Sequence, residues 1–177
     1  RAAWSDVSST FIEYDIRALS RLRDVQGIAD IVICTETIEH ILNDQKLMID
    51  LAGCLKPGGR LLMTAPYEYY KAITPEDDGP FSIVEDGGHV RRGYTAASYR
   101  KLCERAGLSI EDFGFCSGLT SQWLTKILRK LTVIDYRVGW LAILPLRILP
   151  PVLDRIISLT GLWPDYSITL IATKPKI

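Results

Sequence analysis

Two apolar runs joined by one helix-sized segment constrain this chain more than any other feature. Ala29-Asp30-Ile31-Val32-Ile33-Cys34 is almost unbroken and rich in β-branched residues, the pattern of a strand buried on both faces of a parallel sheet. Arg60-Leu61-Leu62-Met63-Thr64-Ala65 is the second run, launched by the turn Lys56-Pro57-Gly58-Gly59. Between them Asn43 suits a helix N-cap, and Leu47, Leu51 and Leu55 recur on one helical face. Strand, helix, turn and strand make a βαβ unit, whose crossover is right-handed in nearly all proteins.

The rest of the chain extends this α/β reading. Thr10 to Asp15 alternates weakly and suits a short strand (Phe11 to Asp15), followed by a helical turn or two over Arg17 to Leu22. Tyr67 to Arg92, rich in Gly, Pro and acids, reads as a long loop, and loops of that length in compact domains are usually functional or mobile. Thr95 or Ser98 begins a helix that runs to Ala106 and stops at Gly107. Leu108 to Phe115 and Ser167 to Thr173 are the remaining strands. Strands alternating with helices predict a mostly parallel sheet. The 177 residues, 47% of them hydrophobic, suffice for one core, and the whole span 1–177 reads as a single domain.

Charge and cysteine usage narrow the function classes. Lys plus Arg and Asp plus Glu number 21 each, so no overall field draws the chain to nucleic acid or to an acidic membrane. Cys34, Cys54, Cys103 and Cys116 are scattered and form no metal-ligand set, which reads as reduced thiols in the cytoplasm. Arg1 to Asp15 lacks the apolar core of a signal peptide. No His/carboxylate cluster has metal-ligand spacing along the chain.

The stretch from Trp123 to Trp163 stands apart. It is strongly apolar, with Lys126, Arg129, Lys130, Arg137 and Arg147 interleaved, and Pro145, Pro150 and Pro151 break it before it can span a bilayer. A helical insertion over 119–166 is expected. Helices packed on the domain or on a second subunit are one reading; a membrane-surface or lipid contact is the other, because basic and apolar faces together are its signature.

In an open parallel sheet, ligands bind beyond the carboxyl ends of the strands. That rule singles out Asp15-Ile16, Cys34 to His40, Pro66-Tyr67 and Ser117-Gly118. Asp15 by position alone suits a polar ligand edge or a helix N-cap. His40 and His89, the two histidines, are candidate general bases or structural hydrogen-bonding residues. Glu36 and Glu39 read as solvated helix residues or as acceptor-side acids. Tyr67, Tyr69 and Tyr70 read as an acceptor wall or as packing under the loop.

Ala29 to Ile41, with its Glu36-Thr37-Ile38-Glu39-His40 element, followed by Leu55-Lys56-Pro57-Gly58-Gly59, resembles the class I S-adenosylmethionine-dependent methyltransferases. The likeness is to the small-molecule branch that includes the ubiquinone-biosynthesis O-methyltransferases. Gly88-His89-Val90-Arg91, Tyr94-Thr95 and Ala106-Gly107-Leu108 extend the likeness, which covers Phe11 to Phe115 and the last strand. It implies a Rossmann-like sheet of order 3-2-1-4-5-7-6, with the last strand antiparallel, and S-adenosylmethionine as cofactor. By the same resemblance Asp15 and the Ile16 backbone N–H would contact the adenine, and Cys34 and Thr35 the methionine part. His40 would stand near methyl transfer, and His89 and Tyr67 would lie on segments bordering the acceptor pocket, His40 and His89 being the candidate catalytic residues.

The family's glycine-rich loop and the acid ending its second strand are absent from these residues. The chain is therefore expected to be the C-terminal portion of a longer methyltransferase, lacking about 60–80 residues of βαβ structure. Three functions follow. The first is methyl transfer to a small-molecule acceptor, a lipid-like one included. The second is a non-catalytic methyltransferase-like module that acts through its apolar insertion on protein or membrane surface. The third, a nicotinamide-dependent Rossmann enzyme, needs a glycine fingerprint these residues lack.

Overall fold

The computed structural model describes residues 9–176. Residues 1–8 and 177, within the predicted single-domain span, lie outside the described part. A four-stranded sheet in the order β1-β2-β4-β3 organises the chain. Its strands are β1 (Ala29–Thr35), β2 (Leu55–Pro66), β3 (Ser109–Cys116) and β4 (Ser167–Thr173). β1 and β2 are parallel, with Cys34 beside Met63, and β4 runs antiparallel to both β2 and β3. Three strands therefore point one way and the last points back, which is the predicted α/β architecture and the 4-5-7-6 end of the expected order.

Helix α1 (Asp44–Cys54) and helix α2 (Ala96–Ala106) cover one face of the sheet. The Asn43 side chain caps α1 by accepting the Lys46 N–H at 3.0 Å. Thr95 and Ser98 form a reciprocal capping box on α2, and Gly107 ends it in the left-handed conformation at φ +68°. Leu47, Met48 and Leu51 of α1 and Tyr99 and Leu102 of α2 are buried with Leu61, Met63, Ile168 and Leu170 of the sheet. A core of this kind gains roughly 1.5–3 kcal/mol for each large apolar side chain removed from water.

The Lys56-Pro57-Gly58-Gly59 segment, expected as a turn before the strand, is instead the irregular start of β2. Its pairing with β1 slips between Ala29 and Ile31, and it needs both glycines for different reasons. Gly58 has φ +82°, whereas a Cβ on Gly59 would stand 2.8 Å from the Ala29 carbonyl oxygen, where β1 begins. Lys174, just past β4, clamps this corner: its Nζ donates to the Ala52 and Leu55 carbonyls, the open end of α1.

Two further expectations fail. Phe11 to Asp15 joins no strand, and the chain then enters a 3-10 turn over Ile16–Arg21. β1 is not buried on both faces: Ile31 is 57% exposed and Ile33 68%. The two failures have one cause. Among the described residues β1 pairs only with β2, so its other flank is an open edge and its second face has no covering layer.

The predicted helical insertion forms α3 (Leu119–Ile134), α4 (Tyr136–Ile143) and α5 (Pro150–Leu159), with a 3-10 turn over Leu144–Ile148. Gly118 supplies no side-chain cap to α3; Asp154 of α5 does so instead, accepting from the backbone and hydroxyls of Thr120 and Ser121. Val133, Ile134, Val138, Leu141, Ile148, Val152 and Leu162 are exposed along this arm. Among the described residues no helix is long and apolar enough to cross a membrane.

Candidate active site

The carboxyl ends of β1 and β2 open onto a cleft of about 1350 Å³, whose far wall is built by α3 and α5. Beyond β1 the chain turns sharply at Glu36, at φ +47°, and the Glu36 N–H donates to the Thr64 carbonyl of β2. A single 3-10 turn, Ile38–His40, follows. It drives Ile38 into the core and carries Glu39 with it, 1% exposed, while His40 faces the cleft.

His89 arrives from the long loop, and backbone contacts fix its position. Val90 N–H donates to the Glu39 carbonyl at 2.9 Å, and Ser82 N–H donates to the His89 carbonyl at 2.8 Å. Arg91 locks the segment from below: it pairs with Asp44 and donates to the Ile41 and Leu42 carbonyls and to the Tyr94 hydroxyl. Tyr94 in turn joins Tyr67 in an isolated bridge that closes the loop's base. The His40 and His89 rings thus meet edge to face, centroids 4.7 Å apart.

The electrostatics follow from that burial. Desolvation pushes the Glu39 carboxyl up to about 8, the negative charge of nearby Glu36 adding to the effect. Burial holds His89 below its usual range, helped by repulsion from His40. The floor of the cleft therefore carries a neutral imidazole and an acid with unusual proton affinity. The opposite side is basic, with Lys126, Arg129, Lys130, Arg147 and Arg155 among its lining residues.

Of the predicted site residues, the fold brings together His40 and His89, which line the cleft. Tyr67 does not line it but packs edge-on against Phe115, which does, at 5.0 Å. Cys34 is buried, and burial raises its thiol pKa. Thr35 is exposed at the strand end, its carbonyl accepting from the Thr37 hydroxyl. Asp15 caps the turn beginning at Ile16 and is paired with Arg17, whose hydrogen bonds hold its carboxyl down at about 2. Arg17 also pairs with Glu85, which accepts the Leu42 N–H, so the Asp15 turn is tied to the segment just past His40.

Of the two readings of Glu39, a solvated helix residue or an acceptor-side acid, burial excludes the first, and its place among the cleft-lining residues is compatible with the second. Sequence reasoning found no ligand set by spacing, whereas the fold gathers ligand atoms of Glu39, His40 and His89 within 4.8 Å of one another. The signal was present only as two neighbours plus one distant histidine.

Comparison with known proteins agrees with this geometry. A family model described as "Methyltransferase domain" matches residues 5–112. No curated protein matches. An S-adenosylmethionine-dependent methyltransferase from Mesorhizobium loti is similar in structure, with a TM-score of 0.54 at 17% identity over 98% of this chain and 73% of its own. A candidate S-adenosylmethionine-dependent methyltransferase from Listeria monocytogenes gives a TM-score of 0.55 at 10% identity, over 97% and 73%. The cyclase SpnF matches over 86% of this chain, which spans 53% of the cyclase's length, with a TM-score of 0.48 at 15% identity. The match over residues 5–112, most of the described sheet among them, identifies the chain as a member of the methyltransferase-domain family.

Proposed function

We propose that this chain takes part in S-adenosylmethionine-dependent methyl transfer to a small, lipid-like acceptor bearing a hydroxyl group. The observation that carries the reading is the cleft itself: it lies beyond the carboxyl ends of two parallel strands, where open α/β sheets bind ligands, and it continues into an apolar, basic helical arm.

The residues present fit one side of a cofactor site. Asp15 is ionised and half-exposed, and a cofactor edge that reached it would compete with or displace the Arg17 guanidinium now paired with it; Cys34-Thr35 ends β1 beside β2. Asp15, Ile16, Cys34 and Thr35 would hold the cofactor, which when bound supplies an activated methyl group. This chain's own residues provide position and proton handling. His89, kept neutral by burial, and His40 both line the cleft, which supports a role for either in accepting the acceptor's hydroxyl proton. Tyr67 supports this wall through Phe115. The likeness to ubiquinone-biosynthesis O-methyltransferases supports a ring hydroxyl with an apolar tail, and exposed Val133, Leu141 and Ile148 on the arm suit such a tail.

The arm also favours a peripheral lipid contact at the cytoplasmic membrane face, since Arg129, Lys130, Arg137 and Arg147 flank its apolar residues. A non-catalytic role through this arm alone makes the opposite forecast for cofactor. Calorimetric titration of S-adenosylhomocysteine into the protein decides the matter: heat of binding, weakened in Asp15→Ala, is expected, and silence at millimolar ligand overturns methyl transfer.

A further inference from the structure

We propose that Arg129 and Lys130, on the α3 wall of the cleft, bind a phosphate group carried by the acceptor, which makes that acceptor an amphiphilic phosphomonoester. The proposal rests on the reading of the cleft as an acceptor site and names the class of molecule it takes. Its first support is the charge pattern of α3. Gln122, Lys126, Arg129 and Val133, spaced four, three and four residues apart, all line the cleft, and Lys130 lines it beside them. One helical stripe thus presents three cations, and α3 holds no acidic residue. Like charges three and four residues apart weaken a helix, so this face carries a repulsion that a bound anion relieves.

The second support is the count of partners. Lys126 is engaged by the loop: its Nζ donates to the Thr74 hydroxyl at 2.5 Å and stands 3.7 Å from the Asp77 carboxylate. Arg129 and Lys130, about one turn further on, enter no ion pair among the described residues. Of the other acids lining the cleft, Asp154 caps α3 and Asp165 accepts from the Ser158 hydroxyl at 2.7 Å. Glu76 shares the loop turn with Asp77. Glu36 and Glu39 lie across the cleft past β1, with the Glu39 carboxyl pushed up to about 8 by burial. Two cations of the stripe are therefore left without counter-charge. A phosphate monoester, with a charge of about −1.5 to −2 near pH 7, balances both, whereas a carboxylate balances one. The planar Arg129 guanidinium also suits two phosphate oxygens at once.

The third support is place. Burial, His40 and then Arg129 hold His89 below its usual range, so Arg129 stands near the imidazole that would take the hydroxyl proton. Past Arg129 the stripe turns apolar: Val133 lines the cleft yet is 87% exposed, and Ile134 beside it is 81% exposed. A phosphate on Arg129 and Lys130 thus leaves the reacting hydroxyl toward His89 and an apolar tail toward the arm.

The test titrates the full chain with octyl phosphate by calorimetry, below its micellar range, with octanoate, 1-octanol and inorganic phosphate as companions. One octyl phosphate per chain is expected, bound at least about tenfold more tightly than any of the three. Arg129→Gln and Lys130→Gln should each weaken it about tenfold or more. Lys101→Gln, which removes an exposed cation of α2 outside the cleft, should leave it unchanged. Any companion bound as tightly as octyl phosphate, or an equal loss in Lys101→Gln, overturns the proposal. So does a loss in Arg129→Gln that is confined to anionic vesicles, which gives these cations to a membrane surface instead. S-adenosylhomocysteine is titrated separately: its silence sinks methyl transfer and leaves the phosphate subsite standing, whereas its heat beside silent octyl phosphate sinks the subsite alone.

Discussion

Asp154, on α5, caps the first turn of α3 by accepting the backbone N–H of Thr120 at 2.7 Å. Its second oxygen takes the Ser121 N–H at 3.1 Å, so one carboxylate from a distant helix does the work that Gly118 cannot. Gly118 is also the residue whose missing side chain makes room: a Cβ there would stand 3.1 Å from Asp154. Asp154→Ala should cost about 1–3 kcal/mol, because it leaves orphaned donors at a part-buried helix end. A lower thermal midpoint and faster amide exchange at Thr120 and Ser121, with the β2 amides unchanged, would be the measured result.

Gly93 is pressed against the sheet where the long loop returns. A Cβ on it would lie 2.2 Å from the Pro66 carbonyl oxygen, and backbone cannot step aside as a side chain can. Gly93→Ala should destabilise by about 1–3 kcal/mol and loosen the Tyr67–Tyr94 bridge. Urea unfolding gives the first quantity. Histidine proton resonances, with His89 losing its fixed environment, give the second.

The stacked pair Tyr94 and Tyr99 makes the fold sensitive to alkali. Burial pushes Tyr94 up to about 12 and Tyr99 further in the same direction, while phenols of the unfolded chain ionise near 10. Above pH 10 the unfolded chain therefore binds fewer protons than the native one, and stability falls as pH rises from 10 towards 12. Below pH 10 these groups contribute no slope. The Tyr99 hydroxyl is buried without a partner, so Tyr99→Phe should be neutral or stabilising by about 1 kcal/mol at pH 7. It should also flatten the alkaline fall in the urea midpoint.

What the sequence disclosed depended on how local the cause was. The caps of α1 and α2 and all four paired strands are written in neighbouring residues and stand close to where the pattern put them. The Lys56 to Gly59 segment read as a turn, however, is the irregular start of β2, which begins at Leu55 and not at Arg60. The exposure of Ile31 and Ile33 was not legible, because β-branched composition reports a strand and not how many neighbours it has. Thr10 to Asp15 misled for the same reason. The burial of Glu39 was hidden by its charge: a glutamate beside a histidine reads as surface until a 3-10 turn rotates it under the loop. The meeting of His40 with His89 spans a loop whose closure rests on Arg91 and Gly93, which no local pattern reveals.

The proposed lipid contact of the arm has its own forecast. The chain should co-sediment with vesicles containing anionic lipid, and release as salt is raised. Two basic residues at about 1 kcal/mol each near a charged surface mean that Arg137→Glu combined with Arg147→Glu should weaken vesicle binding more than tenfold. Arg147 lies over the Trp140 ring, 5.4 Å from its centroid, so Trp140 fluorescence provides a second readout. Equal binding to neutral vesicles would sink the contact.

A strand paired on one side only is a template for another. Along Ile31 and Ile33 the flank of β1 turned from β2 meets no strand among the described residues, and both side chains are bare to solvent. Extended backbone that reaches this flank can lengthen the sheet by hydrogen bonding in the manner of an amyloid seed or a donated strand. Concentrated solutions of the chain should thus cloud with time, and a single lysine at position 33 should keep them clear.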